Sequence, residues 1–74
     1  MEKQTFINQM KARGYETTHP SPTGNVTATK GDITVRLVPL ADYLVYINTP
    51  TTTAIIRDSA SDDETLRVID GLTA

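Results

Sequence analysis

Residues 25–38 read Asn-Val-Thr-Ala-Thr-Lys-Gly-Asp-Ile-Thr-Val-Arg-Leu-Val. Two alternating runs flank Gly31-Asp32, and a Gly-first pair between such runs predicts a two-residue hairpin turn of type II′ or I′. A loop of that length sets the register. Lys30 faces Ile33, Ala28 faces Val35, and Val26 faces Leu37, all on one face of the hairpin. Thr27, Thr29, Thr34 and Arg36 collect on the other face. A slip by one residue would mix the two sets, so pattern and turn chemistry specify the same pairing.

Downstream, Tyr43-Leu44-Val45-Tyr46-Ile47 is apolar or aromatic at every position. A strand with one wet face should alternate; this one offers apolar side chains to both faces. Pro39-Leu40-Ala41-Asp42 reads as the turn before it and Thr49-Pro50 as the turn after it. Thr51 to Arg57 then reads as a further strand. Its threonines carry little packing volume and Pro50 precedes it, which suits an edge. A five-residue connection from the hairpin turns Tyr43, Val45 and Ile47 toward the Val-rich face; a four-residue one turns Leu44 and Tyr46 there. The first set is preferred, because the turn Asn48-Thr49-Pro50-Thr51 aligns it with Thr52, Ala54 and Ile56.

The flanking segments read as helices. Lys3 to Arg13 places Phe6, Ile7 and Met10 on one stripe. Glu2 sits at the positive end of the helix dipole, and Lys11 and Arg13 at the negative end. Gly14 is the expected left-handed C′ residue, with Tyr15 packing back on Met10. Tyr15 to His19 suits extended backbone, and Pro20 to Gly24 reads as a loop. Near the other end, Ser61-Asp62-Asp63-Glu64 is a capping box. Leu66 and Ile69 form the stripe of the second helix with Val68 on its border. Gly71 is expected to stop it, so that Leu72 folds back toward Leu66. The expected fold is one α+β domain over residues 1–74. It has two layers: helix, antiparallel sheet of three to four strands, helix, with both helices on one face.

Composition narrows function mostly by exclusion. The chain has 74 residues, no cysteine and a net charge of −2, which leaves no disulfide framework and no Cys-based zinc site. No run approaches the ~18 apolar residues that a spanning helix needs, nor does the start resemble a secretory signal. The cytoplasm, with no membrane contact, is the expected setting. From residue 58 onward five acids meet one base (net −4), against six bases and four acids before it (net +2). That acidic end argues against general nucleic-acid binding, which needs basic groups to displace phosphate counterions.

No catalytic constellation stands out. His19 is the sole histidine and precedes Pro20 in a loop, without ligand spacing. Asp62, Asp63 and Glu64 splay apart in a first helical turn rather than converge on a shared proton. Ser21, Ser59 and Ser61 lack a neighbouring base signature. The glycines each suit a turn or a helix end, and none belongs to a phosphate loop. No enzyme activity, cofactor or metal is expected.

Two helices on one face leave Leu44, Tyr46 and Ile55 on the other, among Thr27, Thr29, Thr34, Arg36, Val38, Thr53 and Arg57. Apolar groups rimmed by polar ones mark contact surfaces, and Tyr and Arg carry much of the energy at protein interfaces. Arg36, Leu44, Tyr46, Ile55 and Arg57 are therefore the candidate partner-binding residues. Asp62 and Asp63 form a second candidate surface. Residues 4–15, Gln-Thr-Phe-Ile-Asn-Gln-Met-Lys-Ala-Arg-Gly-Tyr, and the helix–sheet–helix layout resemble small accessory proteins of phages and other mobile elements. The layout is also similar to that of some compact anti-CRISPR inhibitors of Cas nucleases. The resemblance implies a non-enzymatic protein that binds and blocks a bacterial host protein. A homodimer paired through the open face or an edge strand is the alternative. A weak single-stranded nucleic-acid binder, stacking a base on Tyr46 beside Lys30, Arg36 and Arg57, is a third reading.

Overall fold

The computed structural model describes residues 1–18, 24–39, 43–57 and 60–73, with the backbone alone at Tyr43. The chain runs α1 (Lys3–Ala12), β1 (Glu16–Thr17), β2 (Val26–Lys30), β3 (Ile33–Pro39), β4 (Tyr43–Asn48), β5 (Thr53–Ile56) and α2 (Asp62–Thr73). The strands form one antiparallel sheet in sequence order, β1-β2-β3-β4-β5. The protein is thus α+β, with five strands where the sequence suggests three to four. The added strand is β1, an edge. Its pairing of Glu16 with Thr29 and Thr17 with Ala28 continues at Thr18, whose amide donates to the Thr27 carbonyl at 2.9 Å.

What places β1 there is the end of α1. Gly14 has φ +86, a conformation that costs a residue with Cβ. The Gly14 and Tyr15 amides donate to the carbonyls of Lys11 and Met10, each at 3.0 Å. This is a Schellman motif, and it turns the chain back along β2. Tyr15 and Met10 then share the core.

The central hairpin has the register its turn dictates: Lys30 opposite Ile33, Ala28 opposite Val35, Val26 opposite Leu37. Gly31 has φ +58 and Asp32 is not among the positive-φ residues, so the turn has the sign pattern of type II′. Strand β4 joins with Val35 opposite Ile47 and Leu37 opposite Val45, and β5 with Ile47 opposite Ala54 and Val45 opposite Ile56. The alternation over β4 therefore falls as the Tyr43, Val45, Ile47 register requires. Strand β5 begins later than the expected Thr51. The Thr49 hydroxyl accepts the amides of Thr51 and Thr52 at 3.4 and 2.9 Å, and the Thr49 amide donates to the Thr52 carbonyl at 2.8 Å. That local polar turn withdraws both threonines from the strand.

The core is one cluster: Phe6 and Met10 of α1, Tyr15, Val26, Ala28, Val35, Leu37, Val45 and Ile47 of the sheet, and Ile69 of α2. Burying a side chain of the Val, Leu, Ile, Phe or Met kind contributes ~1.5–3 kcal/mol, so these positions dominate stability. Ile7, Ile33, Ala54, Ile56, Leu66 and Leu72 pack on its margin. Helix α2 starts as the capping sequence implies, with the Ser61 hydroxyl accepting the Glu64 amide at 3.1 Å. Its stripe includes Thr65, which the hydrophobic pattern passes over. Thr65 is 4% exposed and its hydroxyl donates to the Ser61 carbonyl at 2.9 Å, which removes the cost of burying it. Gly71 does not stop the helix. It is absent from the positive-φ glycines, and α2 continues to Thr73. The continued turn carries Leu72 onto the core margin, and that burial outweighs the ~1 kcal/mol helix penalty of glycine.

Two further contacts join the helical segments. Arg13 grips Asp70 with two bonds, Nε to Oδ1 at 2.7 Å and Nη2 to Oδ2 at 3.1 Å. The Met1 amino group lies 3.7 Å from Asp62. Among the described residues, no helix is long and apolar enough to cross a membrane.

Candidate functional site

The sheet has two unlike faces. On one, Val26, Ala28, Val35, Leu37, Val45 and Ile47 are buried. On the other, no described side chain of β2 to β5 is buried. The antiparallel registers arrange this second face in transverse rows. Thr27 stands opposite Arg36, Arg36 opposite Tyr46, and Tyr46 opposite Ile55. The row Thr27–Arg36–Tyr46–Ile55 thus crosses four strands, placing a guanidinium, an aromatic ring and an aliphatic chain side by side.

The next row on one side is Val38 opposite Leu44, and continuing the β4–β5 register sets Arg57 beside Leu44. On the other side lie Thr29, Thr34, Asn48 and Thr53. The Thr53 hydroxyl donates to the Asn48 side-chain oxygen at 3.1 Å. A shallow depression of about 350 Å³ lies between this last row and the Arg36–Tyr46 row, lined by Thr34, Arg36, Tyr46, Ile47, Asn48 and Thr53. Arg36 and Arg57 are exposed, and Leu44 and Tyr46 are half-buried. Ile55 is 58% exposed, the largest value for a big apolar side chain among the described residues.

Arg36, Tyr46 and Ile55 are therefore contiguous, with Leu44 and Arg57 in the adjoining row. Asn48 belongs with them, although apolar pattern alone does not pick it out. The signal for it is parity, since it stands two residues beyond Tyr46 on the same strand. Asp62 and Asp63 are exposed in the first turn of α2. Among the described residues no hydrogen bond or ion pair joins them to Arg36 or Arg57; Asp62 meets the Met1 amino group instead. His19, Asp58 and Ser59 lie outside the described residues, as do residues 20–23 and 40–42 of the expected turns.

A second, wider groove of about 660 Å³ runs where α1 passes β1, lined by Gln4, Ile7, Lys11, Tyr15, Glu16, Thr17 and Thr18. The Tyr15 hydroxyl is buried and has no hydrogen-bond partner among the described residues, so its side chain offers this groove no accessible polar atom. Among the described residues no three His, Cys, Asp or Glu side chains gather as a metal site. The two shifted ionisations among the described residues lie away from the row. The hydrogen bonds from Arg13 hold the Asp70 carboxyl below its ordinary range, and the same bonds raise Arg13.

The class these features define is a small α+β protein whose antiparallel sheet carries a mixed apolar and cationic row on its exposed face. No family model, curated protein or solved structure matches the chain.

Proposed function

We propose that this chain is a non-enzymatic protein-binding module whose contact surface is the exposed sheet face. The reading includes a placement we infer, that both helices cover the opposite face. Support for it comes from the single core cluster holding Phe6, Met10 and Ile69 with the Val26–Ile47 set, and from the bidentate Arg13–Asp70 clasp. The observation that carries the proposal is the row Arg36–Tyr46–Ile55. Tyr46 presents a broad, rigid surface at small entropic cost, Arg36 adds planar donors, and Ile55 adds apolar area. That combination suits a protein partner with an apolar patch and accepting groups. Nucleic acid fits less well, since one tyrosine gives a single stacking platform and two arginines displace few counterions.

The layout-level likeness to mobile-element accessory proteins makes a bacterial host protein, defence nucleases among them, the partner to test first. In this reading the chain inhibits by occupying a surface of that host protein. The test compares wild type with Tyr46→Ala in capture from bacterial lysate, followed by affinity measurement on the purified captured protein. Truncating a central interface tyrosine should weaken binding by more than ~30-fold. The pair Asp62→Asn and Asp63→Asn should leave it within about threefold, as for charges remote from a contact. Unchanged affinity in Tyr46→Ala rejects this face. A salt-dependent shift with single-stranded oligonucleotides would replace the protein partner with nucleic acid.

A further inference from the structure

We infer that two copies of this chain pair through β5, edge to edge, making one continuous antiparallel sheet across a two-fold axis. The backbone groups of β5 alternate in direction, toward β4 and away from it. The Thr49 amide bonds the Thr52 carbonyl at 2.8 Å, so that pair belongs to the hydrogen-bonded kind. In an antiparallel ladder the two kinds alternate. Following the register from that pair, Ala54 opposite Ile47 and Ile56 opposite Val45 are hydrogen-bonded. Thr53 and Ile55 are of the other kind, and their N–H and C=O groups point away from β4. Because β5 is last in the sheet, no strand among the described residues receives them.

Such an edge is normally blunted by an internal charge, a proline, a bulge or a very short length. Thr53–Ile56 reads Thr-Ala-Ile-Ile and contains none of the first two. Its pairing with β4 advances one residue for one throughout, so it has no bulge. The opposite edge is managed: β1 is two residues long and α1 packs beside it. At four residues β5 is twice the length of β1, so among the described residues it is the less guarded of the two borders.

A second copy fits the open border better than an unrelated strand, because the border is self-complementary. With the axis through Ile55, the Ile55 amide and carbonyl of each copy satisfy those of the other. Thr53 then stands opposite the partner's Arg57. The two Ile55 side chains, each 58% exposed, lie together on the open face and cover one another. No like charges face across the axis, since the arginines sit at opposite ends of the junction. A junction this short is a small one, under about 1,200 Å², and belongs with weak, concentration-dependent contacts. Its consequence reaches beyond mass. The rows of both copies would line up as Arg36–Tyr46–Ile55 followed by their mirror order, presenting one doubled surface.

The test is sedimentation velocity from about 10 µM to about 1 mM, a span matched to a dissociation constant on the order of 100 µM, with residue-resolved amide exchange on the same samples. Wild type should rise from the 8.1 kDa of one chain toward twice that mass. The Ile55 amide should slow in step with the dimer fraction, while Ala54 and Ile56, bonded to β4, stay protected throughout. Ile55→Pro removes an outward donor without breaking a β4 bond, and should abolish dimerisation. Ile55→Lys keeps the backbone donor but brings two ammonium groups together, and should weaken dimerisation at least tenfold even if the proline variant fails to fold. A wild-type chain monomeric at every concentration overturns the inference. So does a dimer whose Ile55 amide still exchanges freely. Neither result touches the Tyr46-dependent binding of another protein, which is read on a different partner.

Discussion

Tyr15 does two jobs that conflict. Its amide closes the Schellman motif on Met10, which obliges its ring to enter the core, where it is 5% exposed. The Lys30 ammonium sits 5.4 Å from the ring centroid while donating to the Arg13 carbonyl at 3.0 Å, so the ring face is well used. The hydroxyl, however, is buried without a partner among the described residues. An unsatisfied buried polar group costs ~1–3 kcal/mol, more than the ring gains from carrying it. Tyr15→Phe should therefore stabilise the fold by about 1 kcal/mol, which at this chain length raises Tm by about 4–8 °C. Calorimetry checks it. A lower Tm would mean that the hydroxyl is satisfied in solution. The sequence makes Tyr15 legible as a C″ residue because Gly14 precedes it; the stranded hydroxyl depends on what surrounds the ring and leaves no mark in the pattern.

At the scale of elements, Gly71 separates local signal from docking. As a C′ stop it would need a left-handed backbone, and alanine there would be strained. In the structure it is an ordinary helical residue, exposed, and a Cβ added to it meets nothing within 4 Å. Gly71→Ala should then stabilise by ~0.5–1 kcal/mol through helix propensity and a less flexible unfolded chain. Chemical denaturation reads the change, and a loss of stability would restore the stop. The same contrast explains what the sequence makes legible. The β2–β3 pairing is readable because Gly31-Asp32 and the alternation demand one register, and β4 and β5 follow by parity. The pairing of β1 is not, since Glu16 and Thr17 are ordinary residues recruited by the turn before them. Thr65 is unreadable as core because its hydroxyl partner, the Ser61 carbonyl, is supplied only once the helix exists. In the candidate site the residues Arg36, Tyr46 and Ile55 are legible as face partners. That they fall in one transverse row follows from exact turn lengths, which composition does not give.

For the whole molecule, the Arg13–Asp70 clasp is, among the described residues, the side-chain bond that joins the end of α1 to α2. Arg13 is fixed from behind by the Gln9 carbonyl at 3.2 Å and the Gln9 side-chain oxygen at 2.8 Å, so the fork is oriented before Asp70 meets it. Both partners are partly in water, with side-chain exposures of 25% and 54%, and screening limits such a pair to under about 1 kcal/mol. Its signature lies in pH. Asp70 is held below its ordinary range by the Arg13 hydrogen bonds. A carboxyl depressed in the folded state contributes its stability above the unfolded pKa, about 3.9. That contribution is lost as pH falls through the folded value. Arginine stays charged throughout and adds no slope of its own. Asp70→Asn should thus be less stable than wild type by a constant, sub-kilocalorie gap from about pH 8 down to about pH 5, narrowing below about pH 4 and closing in stronger acid. Urea titrations of both proteins across that range measure it. A gap that persists in strong acid would assign the effect to packing at α2 rather than to the ion pair, and would remove the clasp from the forces that join α2 to the end of α1.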